Sequence, residues 1–322
     1  MNFISQKEIS HFQNFLKINW KKNHIYCKSK KILNWQHSFL KRRIDFFVIK
    51  KDTKIVSTLG IINQSRDKSY SEISLAIWIS KFKSGGAKLF LRLDSIFKFR
   101  LVKGTTVNPN IIPLYKILGF SVQLFNQYYL SPFNQTKKKL SKNLIYYKKV
   151  NQDKLICEEM SKISTTSKNI KYIKWRFFNH PIYRYYFISD TKRKLSLIFR
   201  IIKVNNTKIM RIVDFIGSFK NSNYFINSLN NFLLNNKIEH LEFFHYGIED
   251  KFIKKSGIKK INRPNQAMVV FNEPYIGLNY GKFYCCYKSR KKNYKVKIVR
   301  ADGDFDRPSI VQKKEKIITF NQ

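Results

Sequence analysis

Apolar positions along the chain alternate between two spacings. Residues 6–40 carry helical spacing, with Phe12, Phe15 and Leu16 at i, i+3 and i+4. Two β-rich runs follow, Asp45–Ile49 and Ile55–Ile62, around the polar turn Lys51–Lys54, which is a hairpin signature. Glu72–Ile79 predicts a third strand. The loop Lys81–Gly86 leads into a helix over about Ala87–Phe97 and then a strand at about Phe99–Val102. Asn108-Pro109-Asn110 starts a helix that ends at Leu118, with Gly119 as the stop, and Ser121–Leu130 predicts a strand. The second half repeats this order loosely. A helix at 168–178 precedes strands at 183–189, 195–203 and 208–216. A helix at 222–235, a strand at 238–244, a short helix at 250–256 and strands at 267–272 and 283–288 follow. The polar stretch 134–141 is the linker candidate, dividing the chain into 1–135 and 142–322. Each half thus predicts a mixed α/β (α+β) domain, with helices, an antiparallel meander, then β-α-β. The duplication is one of element order, since no sequence repeat is visible.

Composition narrows the classes. The 322 residues include 28 Phe and 18 Tyr, enough to bury a large core, which excludes a disordered chain. Lys and Arg number 63 against 20 Asp and Glu, giving +43. The lysines are scattered, and runs such as Lys137-Lys138-Lys139 are short, as on a solvated surface in a chain rich in Lys, Asn, Ile, Phe and Tyr. Attraction to anionic ligands follows in either case. Cys27, Cys157, Cys285 and Cys286 lack metal-ligand spacing, so reduced thiols and no metal are expected. Cys285 and Cys286 adjoin in a strand-like run and should point to opposite faces. Neither a secretory leader nor a membrane span is visible. A cytoplasmic location is expected, with peripheral contact to anionic lipid open to so basic a chain.

The candidate chemistry begins at Lys83-Ser84-Gly85-Gly86-Ala87-Lys88, a glycine-containing turn between a strand and a helix. Main-chain amides at such a helix start cradle anions, and Lys81, Lys83 and Lys88 add positive charge. A pyrophosphate is the matching guest. About twenty residues on comes Asn108-Pro109-Asn110-Ile111-Ile112-Pro113-Leu114-Tyr115, closing on Gly119-Phe120.

Over about 45–130 this succession resembles the GNAT superfamily of acyl-CoA N-acyltransferases. The adjacent Gly85-Gly86 departs from the family's usual pair of glycines separated by one residue. The resemblance implies two tandem GNAT-like domains, each a mostly antiparallel mixed sheet flanked by helices, the second a degenerate copy. It implies acetyl-CoA or another acyl-CoA as co-substrate, with Lys83, Ser84, Gly85, Gly86, Ala87 and Lys88 around its pyrophosphate and Asn110 on its arm. Tyr115 would protonate the leaving thiolate, and Glu72 would serve as base toward the amine, directly or through water. Trp20–Tyr26, Asn34–His37, Tyr172–Pro181 and the tail Ala301–Pro308 also resemble acyltransferase-like proteins of surface-polysaccharide assembly. That suggests an amino sugar, nucleotide- or lipid-linked, as acceptor.

His24 and His37 are candidate substrate contacts or bases, against a packing role. Asp302, Asp304 and Asp306 alternate as in calcium loops. Arg307 and Lys313 stand where such a loop wants Gly and Glu, so pairing with cations or contact with substrate is expected, on one face of a strand. Two other readings stay open. One is a Fem-type transferase using aminoacyl-tRNA, and the other a non-catalytic binder of anionic polymers.

Overall fold

The alternating apolar runs assemble into two mixed sheets, in a computed structural model that describes residues 2–40, 42–132, 144–147, 168–190, 194–204, 206–225, 228–261 and 282–320. The linker candidate and the strand expected at 267–272 lie outside these residues.

The first sheet contains, in spatial order, β1 (Asn2–Ser5), β2 (Arg43–Lys51), β3 (Lys54–Asn63), β4 (Glu72–Ser80), β5 (Leu101–Val107), β14 (Tyr284–Ser289) and β6 (Ser121–Leu124). The second runs β13 (Lys259–Lys260), β7 (Asn126–Leu130), β12 (His240–Tyr246), β11 (Thr207–Gly217), β10 (Leu195–Val204), β9 (Tyr186–Asp190) and β8 (Leu144–Tyr147). A short β15 (Ile298–Val299) pairs with β12. The two orders are equivalent. Each sheet has an antiparallel meander and then one parallel pair, β4 with β5 and β11 with β12. An antiparallel strand contributed by the other half and an edge strand complete it.

That contributed strand corrects the element order expected from sequence. The run 121–130 is not one strand. It breaks at Phe125, whose N–H donates to Phe283 O at 2.8 Å. β6 stays in the first sheet, while β7 pairs with β12 and β13 of the second. In return β14 lies between β5 and β6. Side chains explain the exchange: Tyr128 and Leu130 of β7 pack in the second half's core, and Cys286 of β14 packs in the first half's. Each sheet is therefore built from chain on both sides of the 134–141 segment. Cys285 and Cys286 do point to opposite faces, into different apolar clusters.

The helices are α1 (Ile9–Asn19), α2 (Ile25–Lys28), α3 (Lys30–His37), α4 (Gly85–Phe97), α5 (Ile112–Ile117), α6 (Ile170–Ile173), α7 (Ser228–Asn235) and α8 (Asp250–Lys254). The helix expected at 168–178 is instead α6 running into a π-helical turn, Lys174–Phe178. The one expected at 222–235 is a 3₁₀ stretch, Phe219–Phe225, followed by α7. α4 buries Leu89, Phe90 and Leu93 against one face of the first sheet. On the other face, α1–α3 and segments of the second half share one core, including Phe12, Phe46, Ile77, Tyr172, Phe177 and Val213.

Candidate active site

The parallel ladder between β4 and β5 covers Glu72–Leu75 against Leu101–Gly104 and then stops, although both strands run on. Each strand carries one extra residue at that point. On β4 it falls between Leu75 and Trp78, opposite Leu59–Ile61 of β3. On β5 it falls between Gly104 and Val107, opposite Tyr284–Cys286 of β14, with Thr106 at φ 54°. Bulges bend strands and end pairing, and two facing bulges turn a parallel pair into a V-shaped opening. Its walls, Ala76–Ser80 and Thr105–Val107, leave main-chain groups unpaired by the ladder. The extra β4 residue also puts Trp78 on the same side as Leu75, facing α4.

β4 leads into α4 through exposed Lys81, Phe82, Lys83 and Ser84. Ser84 takes φ 66°, and no side chain caps the helix start. The Lys88 N–H donates to Ser84 O at 2.9 Å and the Gly85 N–H to Phe82 O at 3.4 Å. The N–H groups of Gly86 and Ala87 therefore belong to an uncapped first turn of a 13-residue helix, with exposed Lys83 and Lys88 beside them. Such a turn can receive an anion. Both glycines are also demanded by the protein's own packing. A Cβ on Gly86 would overlap the Trp78 indole, and one on Gly85 would overlap Ser80 Oγ and the Phe82 ring.

Tyr115 lies on α5, buried at 5% exposure. Its ring meets Trp78 edge-on at 5.5 Å and Phe120 at 5.2 Å. One indole thus connects the glycine turn with Tyr115. Burial raises the phenol pKa well above its ordinary value, so Tyr115 stays protonated at neutral pH. The helix stop expected at Gly119 is present: Gly119 has φ 81°, and the Phe120 N–H closes on Tyr115 O at 2.9 Å. Asn110 is exposed, and its N–H donates to the capping Asn108 Oδ1 at 3.0 Å.

Glu72 is placed apart from this group. It sits at the start of β4, eight residue steps or ~26 Å along the strand from Ser80. Its buried carboxylate accepts from Arg100. That geometry suits an anchor for the 72–101 end of the parallel pair rather than a base at the bulged end.

The histidines are packing groups. His24 caps α2, accepting from the Tyr26 N–H through Nδ1 at 3.2 Å, and its Nε2 meets Arg307. Burial and the Arg307 charge push its pKa down to about 2. Buried His37 donates from Nδ1 to Ile61 O at 3.1 Å, and burial pushes it down to about 3. The aspartates of the tail pair with cations, but not from a strand. They leave a 3₁₀ turn, Arg300–Asp302, in three directions. Asp302 meets Lys103 at 3.2 Å and Lys168 at 3.0 Å, Asp304 meets Arg307 at 3.3 Å, and Asp306 meets Arg200 at 3.7 Å while accepting from Tyr185 Oη at 2.7 Å. Among the described residues no cluster of three or more His, Cys, Asp or Glu is arranged to hold a metal. Burial lifts Cys285 to about 12, which leaves its thiol inert.

The second sheet has a corresponding opening, and the chain itself fills part of it. β11 and β12 pair only through Ile209–Ile212 and His240–Phe243. β7 takes the other edge of β12 as far as His245. β15 pairs with His245 and Tyr246, so it lies in the gap on the β11 side. The sequence signals for this plug, and for the bulges, are weak. Ile298-Val299 is a two-residue strand, and no pattern of residues marks Ala76–Ile77 or Thr105–Thr106 as extra. Trp78 was legible only as one more apolar strand position.

No family model and no curated protein sequence matches the chain. Solved structures do. A GCN5-related N-acetyltransferase from Anabaena variabilis superposes with a TM-score of 0.56 at 13% identity, over 88% of this chain and 71% of that one. A probable N-acyltransferase from Enterococcus faecalis gives 0.54 at 11% identity, over 89% and 71%. A putative acetyltransferase from Pyrococcus horikoshii gives 0.50 at 9% identity, over 90% and 89%. At these identities the likeness is one of fold. The mixed α/β architecture with two mixed sheets is that of GCN5-related N-acetyltransferase structures. No helix among the described residues is long and apolar enough to cross a membrane.

Proposed function

We propose that the chain is an acyl-CoA-dependent N-acyltransferase that moves an acyl group, acetyl in the simplest case, to an amine. The observation that carries this reading is the bulged opening between β4 and β5. Trp78 of its β4 wall touches both the uncapped start of α4 and Tyr115. The residues present fit an acyl-CoA. Amides of the Ser84–Lys88 turn would hold its pyrophosphate, with Lys83 and Lys88 neutralising charge. The unpaired edges of β4 and β5 would accept main-chain-like hydrogen bonds from the amide-containing arm, as a sheet edge accepts a strand. Asn110, exposed at the start of α5, is the side chain proposed to steady that arm.

In the transfer, the amine nitrogen forms a bond to the thioester carbonyl carbon and the carbon–sulfur bond breaks. The Tyr115 hydroxyl donates its proton to the departing sulfur and regains one from the solvent that takes up the nitrogen's proton. Burial keeps that proton on the phenol until the sulfur becomes basic. The nitrogen's surplus proton leaves to water, since Glu72 is held by Arg100 at the far end of β4. The acceptor we propose is an amino sugar of surface-polysaccharide biosynthesis, nucleotide- or lipid-linked. A thiol-release assay with acetyl-CoA and a panel of such amines tests this. Release that depends on one amine class supports it, and silence with every amine contradicts it.

A further inference from the structure

The opening in the second sheet is only half closed by β15. Between β15 and the free edge of β11 there is a cavity of about 270 Å³ that reaches β5 of the first sheet. Four lysines line it against two aspartates: Lys103, Lys168, Lys295 and Lys297, with Asp214 and Asp302. Its floor is a buried, self-neutralised cluster. Lys168 meets Asp214 at 2.6 Å and Asp302 at 3.0 Å, and Lys103 meets Asp302 at 3.2 Å. Burial alone would drive the proton off Lys168, but Asp214 and Asp302 hold it charged.

The two lysines on the rim are left over. Half-buried Lys297 lies over the Phe215 ring at 5.7 Å. Among the described residues no carboxylate forms an ion pair with it, and burial together with the like charge of Lys220 lowers its pKa. Exposed Lys295 and Lys220 feel Glu249, but Glu249 already pairs with Lys251 at 2.7 Å. A desolvated cation facing a cavity beside another cation is stabilised by an anion in that cavity.

We propose that this cavity is a second ligand site, separate from the opening at β4 and β5, that takes the phosphate or carboxylate group of a small metabolite. Lys297 and Lys295 contact the anionic group, and the Lys103–Asp302–Lys168–Asp214 cluster forms a rigid floor beneath it. The site does not need the first half to bind acyl-CoA. Lys297 stands outside the α4 turn and Tyr115, so the two proposals fail independently.

The test is titration calorimetry of the full chain with inorganic phosphate and, separately, acetate, at matched ionic strength. The expected result is saturable binding of at least one anion, of which the component that survives Lys88→Gln is weakened about tenfold by Lys297→Gln, as loss of one charge-assisted contact implies. Lys297→Arg restores it. Lys88→Gln, which removes the same charge at the other opening, leaves it intact. Which anion binds distinguishes phosphate from carboxylate recognition. Absence of saturable binding overturns the proposal, as does equal weakening by Lys297→Gln and Lys88→Gln, which would mean attraction to net charge alone. If Lys297→Gln does not fold, Lys295→Gln with its own melting curve takes its place.

Discussion

Trp78 stands between the two groups that the proposed chemistry needs. Its indole abuts Gly86 on one side and Tyr115 on the other. Small changes on either side should therefore be felt across it. Gly86→Ala puts a methyl group into the indole. The expected outcome is a loss of about 1–3 kcal/mol in urea unfolding and weaker CoA binding measured by calorimetry. Tyr115→Phe removes only the proton donor from a packed ring. Turnover should fall about a hundredfold while CoA affinity stays within about twofold. If steady-state kinetics showed unchanged kcat, Tyr115 would be a packing residue only. Residue identity is what singles out the glycine turn and Tyr115 as candidates in the sequence. It also singles out Glu72, His24 and His37: Glu72 is held by Arg100, and the packing role weighed for the two histidines is the one their burial and neighbours give them.

At the scale of elements, the meander, the parallel pairs and the helix α4 were legible because each has its own apolar period, with polar turns such as Lys51–Lys54 between strands and Gly85-Gly86 at the start of α4. The strand exchange was not. β7 and β14 are short, mixed in polarity and equally suited to either sheet, so their partners are decided by cores that form from distant segments. The bulges were hidden for a related reason: one inserted residue changes which face a side chain meets without changing composition. The exchange has a mechanical consequence. β14 lies inside the first sheet and β7 inside the second, and one apolar core joins both halves. Neither half can open alone without stripping a strand from the other. Urea unfolding followed by tryptophan fluorescence and by far-ultraviolet circular dichroism should give one coincident transition. Two separated transitions would show that the halves are independent.

For the whole molecule, acid should be the destabilising direction. His24 is pushed to about 2, and His37 and His245 to about 3, each chiefly by burial. Lowered histidines leave the folded state with fewer bound protons than the unfolded state between about pH 3 and 6.5, so stability falls as pH drops through that window. Buried Asp45 opposes them. Burial lifts it to about 6, against its hydrogen bond from Tyr70, so its contribution is lost as pH rises from about 4 to 6. Burial lowers His180 as well and raises Asp214 as it does Asp45, so four groups outweigh two, and the urea midpoint should decline steadily from pH 6.5 to 4. A midpoint that rises on acidification would contradict this balance. The net charge of +43 bears on binding as well, since any anion will be drawn to such a surface, and only stoichiometry separates a site from attraction. The central claim is that the β4–β5 opening with the α4 turn binds acyl-CoA, and that β15 denies the second sheet the same role. Calorimetric titration of the full chain with CoA at physiological salt tests both parts. A single saturable site per chain is expected, and two equivalent sites, or none, would overturn this assignment.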